Sequence, residues 1–111
     1  MSTTESPVIA AHPLLRRLRG ELERLYGPRL LRVLLYGSRA RGDAREDSDW
    51  DVAVILDGYD GGLGEVYQLA DLAFDLMLET DEFLTLMPFK PEDVAQRTLF
   101  MHNLRNEGVP I

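Results

Sequence analysis

The chain has 111 residues, 45% of them hydrophobic and 28% charged, and its twelve basic side chains (eleven Arg and Lys90) face nineteen acids for a formal charge of −7. This is the composition of one ordinary globular domain. The absence of cysteine excludes disulfides and thiolate chemistry, and two distant histidines, His12 and His102, cannot form a zinc site by themselves.

Charge is unevenly placed. Residues 1–45 hold nine basic and four acidic groups, whereas 46–111 hold three and fifteen. A protein that coats a polyanion is normally basic throughout, so broad nucleic-acid binding is not expected, while a local arginine cluster can still hold one phosphate ligand. No apolar run approaches the roughly 18 residues of a membrane span, and residues 1–12 lack the charged flank and apolar block of a secretory leader. A cytoplasmic protein with no membrane partner is expected.

Residues 1–12 are predicted to be a flexible tail, and 13–111 the folded domain. From Pro13, the residues Leu14, Leu15, Leu18, Leu22 and Leu25 follow helical spacing up to Gly27-Pro28, which predicts a helix over 13–26. Leu30–Tyr36 is apolar except for Arg32 and stops at Gly37-Ser38, as a buried strand does. Residues 37–48 carry no apolar periodicity and read as a loop with room for one helical turn. Trp50–Leu56 is the second strand. Alternation turns Asp49 and Asp51 to one face and Trp50, Val52 and Val54 to the other.

From Gly64 to Thr80 and just beyond, the polar residues Gln68, Asp71, Asp75, Glu79 and Glu82 form one helical stripe, with Val66, Leu69, Ala70, Ala73, Leu76 and Met77 opposite. This predicts a helix with Asp75 in solvent. A third strand follows over 83–89, a helix over 92–107 with Val94, Leu99 or Phe100, and Leu104 turned inward, and a short edge strand over 109–111. The expected fold is α/β (α+β), a small mixed sheet with helices packed on one face.

Two weak signals coincide in this order. A Gly-Ser turn follows a buried strand, and an Asp-x-Asp pair heads the next one. Two carboxylates about 5 Å apart repel by roughly 3 kcal/mol at an effective dielectric near 20, so a positive group between them is expected. Magnesium suits the position, because it takes oxygen ligands and is commonly held by one or two carboxylates together with substrate phosphates. Gly37 lets the backbone approach a phosphate, and Ser38 offers a hydroxyl and an amide.

Gly37-Ser38-Arg39-Ala40-Arg41-Gly42 followed by Ser48-Asp49-Trp50-Asp51 resembles the signature of the polymerase-beta-like nucleotidyltransferase superfamily, in particular its minimal, or MNT, branch. The resemblance implies a domain that uses Mg²⁺ and a nucleoside triphosphate to place a nucleoside monophosphate on a hydroxyl. It implies that Gly37 and Ser38 hold terminal phosphates, that Arg39 and Arg41 neutralise phosphate charge, and that Asp49 and Asp51 are the catalytic metal ligands. It further implies the setting of HEPN/MNT toxin–antitoxin modules, in which the protein would use ATP to adenylylate a tyrosine of a HEPN-type ribonuclease within a hetero-oligomer.

One departure stands out. Catalytic members carry a third carboxylate on the strand after the next helix, and here that strand, 83–89, offers only Thr85 as a polar residue, with Asp81 and Glu82 just before it. The alternative expectation is therefore a nucleotidyltransferase-like module that is weak or inactive and neutralises or regulates a partner by binding.

Overall fold

The computed structural model describes residues 12–111; the tail expected over 1–12 lies outside the described residues except for His12. In chain order the elements are α1 (Pro13–Tyr26), a 3-10 turn (Gly27–Arg29), β1 (Leu30–Tyr36), α2 (Ser38–Arg41), β2 (Trp50–Leu56), α3 (Leu63–Thr80), β3 (Leu84–Phe89), a 3-10 turn (Pro91–Ala95), α4 (Leu99–Glu107) and β4 (Val109–Pro110). The strands form one mixed sheet in the order β3-β2-β1-β4. β1 runs antiparallel to both β2 and β4, and β2 runs parallel to β3. α3 supplies the crossover that a parallel β2–β3 pair requires.

Helix α1 starts where Pro13 presets the first turn and the His12 ring accepts the Leu14 amide at 3.2 Å. Its leucines at positions 14, 15, 18 and 22 are buried against Val33, Leu35, Val52 and Val54 of the sheet and against Leu69, Ala73 and Leu76 of α3. Each fully buried leucine contributes roughly 2 kcal/mol over an exposed one, so this double helical cover is the main source of stability. Alternation along β1 and β2 sends Leu34, Ala53 and Ile55 to the opposite face, where Met101 and Leu104 of α4 cover them.

The helices expected on one face are thus α1 and α3, and α4 lies across the other. Both central strands are apolar on both faces, which demands cover on both. The helix predicted over 92–107 is interrupted. Pro91 starts a 3-10 turn, residues 96–98 are irregular, and α4 begins only after Thr98, whose hydroxyl accepts the Met101 amide at 3.1 Å. In consequence Leu104 faces inward as expected, while Met101 takes the inward place expected of Leu99 or Phe100, both of which are exposed.

Candidate active site

The strand register assembles the site at the end of β1. Tyr36 pairs with Asp51 across the antiparallel ladder, and Asp51 pairs with Thr85 across the parallel one, so the three residues stand in a row on the face that α4 covers. Gly37 then turns the chain with φ +76° and ψ −159°. A β-carbon added there would lie 2.6 Å from Asp51 Oδ2. Glycine is therefore required twice, for its dihedral angles and because the backbone passes directly over the carboxylate.

Ser38–Arg41 forms one helical turn, in which the Ala40 and Arg41 amides donate to the Gly37 carbonyl, both at 3.1 Å. The Ser38 and Arg39 amides, at the first turn, have no acceptor within the turn. Gly42, left-handed at φ +85°, closes it by donating to the Ser38 carbonyl at 3.0 Å. The turn predicted only as an allowance within a loop is thus real, and it is bounded by two glycines with positive φ.

The two arginines of this turn have different surroundings. Arg39 donates through Nε and Nη2 to the Ser48 carbonyl at 3.1 and 2.8 Å, and through Nη2 to the Glu46 carbonyl at 3.0 Å, with its guanidinium 4.3 Å above the Trp50 ring. It ties the 46–48 loop, and with it Asp49, to α2. Arg41 points the other way. It is paired with Asp43 at 3.3 Å and Glu107 at 3.4 Å, and it acts on Asp51 through space.

Asp51 is half-buried, and its carboxyl is held above the ordinary carboxylate range by burial first and by the negative Asp49 second, with Arg41 pulling the other way. Burial, aided by Asp51, likewise raises the Tyr36 phenol. Asp49 is exposed. A cavity of about 180 Å³ opens at Tyr36 and Gly37, lined also by Arg41, Phe100, Asn103 and Glu107. Four of these, Tyr36, Phe100, Asn103 and Glu107, are not among the site residues expected from the sequence. Tyr36 could have been found from its position opposite Asp51. The α4 residues could not, because nothing local tells that α4 crosses this face.

Asp81 and Glu82 do not join the pair. They line a separate recess of about 510 Å³ together with Arg39, Arg45–Ser48 and Phe83. Glu82 accepts the Trp50 indole N–H at 3.1 Å and lies 3.9 Å from His12 Nε2. Since Trp50 alternates away from Asp51, these acids serve the other face of β2. Among the described residues no three His, Asp or Glu side chains cluster as a metal site.

A paired carboxylate beside a glycine-led helical turn, on a small mixed sheet, defines the nucleotidyltransferase class of domain. The sequence pattern of that class, described as Polymerase beta, Nucleotidyltransferase, matches residues 25–111, and the chain belongs to this family. Solved structures share the fold. A toxin-antitoxin with AMP-PNP superposes with a TM-score of 0.57 at 21% identity, over 85% of this chain and 69% of that one. Two variants of the toxin-antitoxin MntA-HpeT also do. One carries two aspartate-to-glutamate changes (TM-score 0.55, 18% identity, 85% and 69% covered) and the other a tyrosine-to-alanine change (0.57, 22%, 86% and 70%). No curated protein matches the chain in sequence.

Proposed function

We propose that this chain is the nucleotidyltransferase antitoxin of a HEPN/MNT toxin–antitoxin pair, binding ATP with Mg²⁺ at Asp49 and Asp51 and transferring AMP, with release of pyrophosphate, to a tyrosine hydroxyl of its HEPN-type ribonuclease partner in a hetero-oligomer. The observation that carries the reading is the closeness of the Gly37 backbone to the Asp51 carboxylate, which brings the Ser38–Arg41 turn and that acid to one point. The family and the toxin-antitoxin neighbours, one with AMP-PNP, support it.

The donor set fits one shared magnesium. Asp51 is destabilised as an anion by burial and by Asp49, which a divalent cation would relieve, and two carboxylates plus phosphates are a common magnesium environment. When bound, the ion would neutralise phosphate charge and polarise the transferred group. In this reading the chain's own part is positional. Gly37 clears space, Ser38 offers its hydroxyl and amide to a terminal phosphate, Arg41 exchanges Asp43 and Glu107 for phosphate oxygens, and Arg39 holds Asp49 in register through the 46–48 loop.

A second reading is favoured by Thr85. It occupies the place next to Asp51 where a third acid would stand, and a hydroxyl neither carries the charge of a metal ligand nor serves as a general base at neutral pH. On that reading the domain binds nucleotide and partner but transfers AMP slowly or not at all. The two separate cleanly in one assay with labelled ATP, Mg²⁺ and the neighbouring gene's product. Label on the partner, lost in Asp49→Ala and Asp51→Ala, establishes transfer. Protection of cells without label, unchanged in the double alanine variant, establishes binding alone. Thr85→Asp is expected to raise transfer about 10-fold or more, by restoring a carboxylate beside Asp51.

A further inference from the structure

Helix α3 has two apolar faces. Leu69, Ala73 and Leu76 are buried in the core, yet Leu63, Tyr67, Phe74 and Leu78 are 61%, 64%, 57% and 71% exposed. Their spacing of four, seven and four residues puts them on a single stripe, with the exposed Ala70 completing it. The stripe runs the length of 63–78, about 22 Å at 1.5 Å per residue. On one side it merges with a shallow groove of about 280 Å³ against the edge strand β3, lined by Val66, Ala70, Met77 and Met87. On the other side it is bordered by Asp71 and Asp75.

A continuous apolar strip of this size is uncommon on an isolated surface, and its charged border says what covers it. α3 contains Glu65, Asp71, Asp75 and Glu79 and no basic residue. Two of these acids are served within the chain, Glu79 by Arg17 at 3.1 Å and Glu65 by Arg29 at 3.9 Å. Asp71 and Asp75 make no ion pair among the described residues. A second copy is a poor occupant, because antiparallel α3 helices would set one acidic border against the other. Residues 1–11 contain no Lys or Arg and cannot answer these charges either.

We propose that the outer stripe of α3 is the docking surface for an amphipathic helix of a partner protein, with apolar residues on its contact face and Lys or Arg along the flank that meets Asp71 and Asp75. The inference takes from the proposed function only that the chain works with a protein partner. The helix would lie along the groove beside β3, its side chains reaching Phe74 and Leu78.

The test has two arms. In the first, the full chain is titrated with an 18-residue model helix carrying a leucine stripe flanked by arginine, and with the same helix flanked by glutamate. Wild type is expected to bind the arginine helix, the exposed-site variant Phe74→Asp/Leu78→Asp to bind it at least tenfold more weakly despite its added negative charge, and Asp71→Lys/Asp75→Lys to prefer the glutamate helix. Equal binding by wild type and Phe74→Asp/Leu78→Asp, no binding by wild type, or a wild-type dimer dissolved by the same substitutions overturns the inference. Circular dichroism confirms that both variants fold. In the second arm, the neighbouring gene's product is co-purified. A complex lost in Phe74→Asp/Leu78→Asp and kept in Asp49→Ala/Asp51→Ala supports the surface. A complex that survives Phe74→Asp/Leu78→Asp overturns it while leaving the toxin–antitoxin reading intact, whereas no complex with wild type counts against that reading and leaves the first arm to decide the surface.

Discussion

Asp51 is where stability and the proposed function oppose each other. Its raised carboxyl pKa means that the folded state holds a proton more tightly than the unfolded chain does. Stability from this group is therefore greatest below the ordinary carboxylate range and declines as pH climbs from there through the raised folded value. Asp51→Asn removes the penalty, so thermal melts should show the variant more stable than wild type at pH 7, with the advantage fading at pH 3. Added Mg²⁺ should raise the melting temperature of wild type and leave the variant unchanged. Gly37 is the steric counterpart. Gly37→Ala meets both a positive φ and the Asp51 oxygen at 2.6 Å, and should cost about 2 kcal/mol or more in denaturant unfolding. It should also abolish nucleotide binding measured by calorimetry.

Among the elements, α2 and α4 decide the shape of the site. α2 is too short to persist by itself. It is held by the Arg39 bonds to Glu46 and Ser48 and by Trp50, whose ring meets the Arg39 guanidinium at 4.3 Å and the His12 ring at 4.5 Å. Arg39→Ala should then lower stability by about 1–3 kcal/mol through the lost bonds and stacking, and weaken Mg²⁺ binding by releasing the loop that carries Asp49. Arg39→Lys should restore little, since an ammonium cannot make the planar fork. α4 begins at a side-chain cap, and Thr98→Ala should cost about 1 kcal/mol, read as a lower denaturation midpoint with an unchanged slope.

At the scale of the whole molecule, the sheet carries two cores of unequal depth. The deeper lies under α1 and α3, and the shallower, of Leu34, Ala53, Ile55, Met101 and Leu104, lies under α4. The shallower core also sets the wall of the cavity, because Phe100 packs edge-on to Tyr36 at 5.5 Å and Glu107 reaches Arg41. Leu104→Ala should cost about 2–4 kcal/mol and weaken ATP binding in the same variant, since α4 would no longer hold the Phe100 and Asn103 wall of the cavity in place. A comparable truncation in the deeper core, Leu18→Ala, should destabilise as much while leaving the nucleotide affinity of the folded fraction unchanged.

The sequence by itself determined the strands and most of the helices. Unbroken apolar runs bounded by Gly, Pro and Asp at Leu30–Tyr36 and Trp50–Leu56 leave little choice of structure, and the leucine spacing of 14, 15, 18 and 22 admits only a helix. It also determined the spacing of Gly37, Ser38, Asp49 and Asp51, and the lack of an acid on the third strand, because each is a property of chain order. Contacts between distant segments are not. Only the folded molecule decided that α4 crosses to the far side of the sheet, that Thr85 stands beside Asp51, that Glu82 turns to Trp50, and that Arg39 is spent on its own loop. It also decided which side of α3 stays uncovered. The periodicity of that helix is satisfied by either of two apolar faces, and only the position of β3 and α1 determines which one is buried.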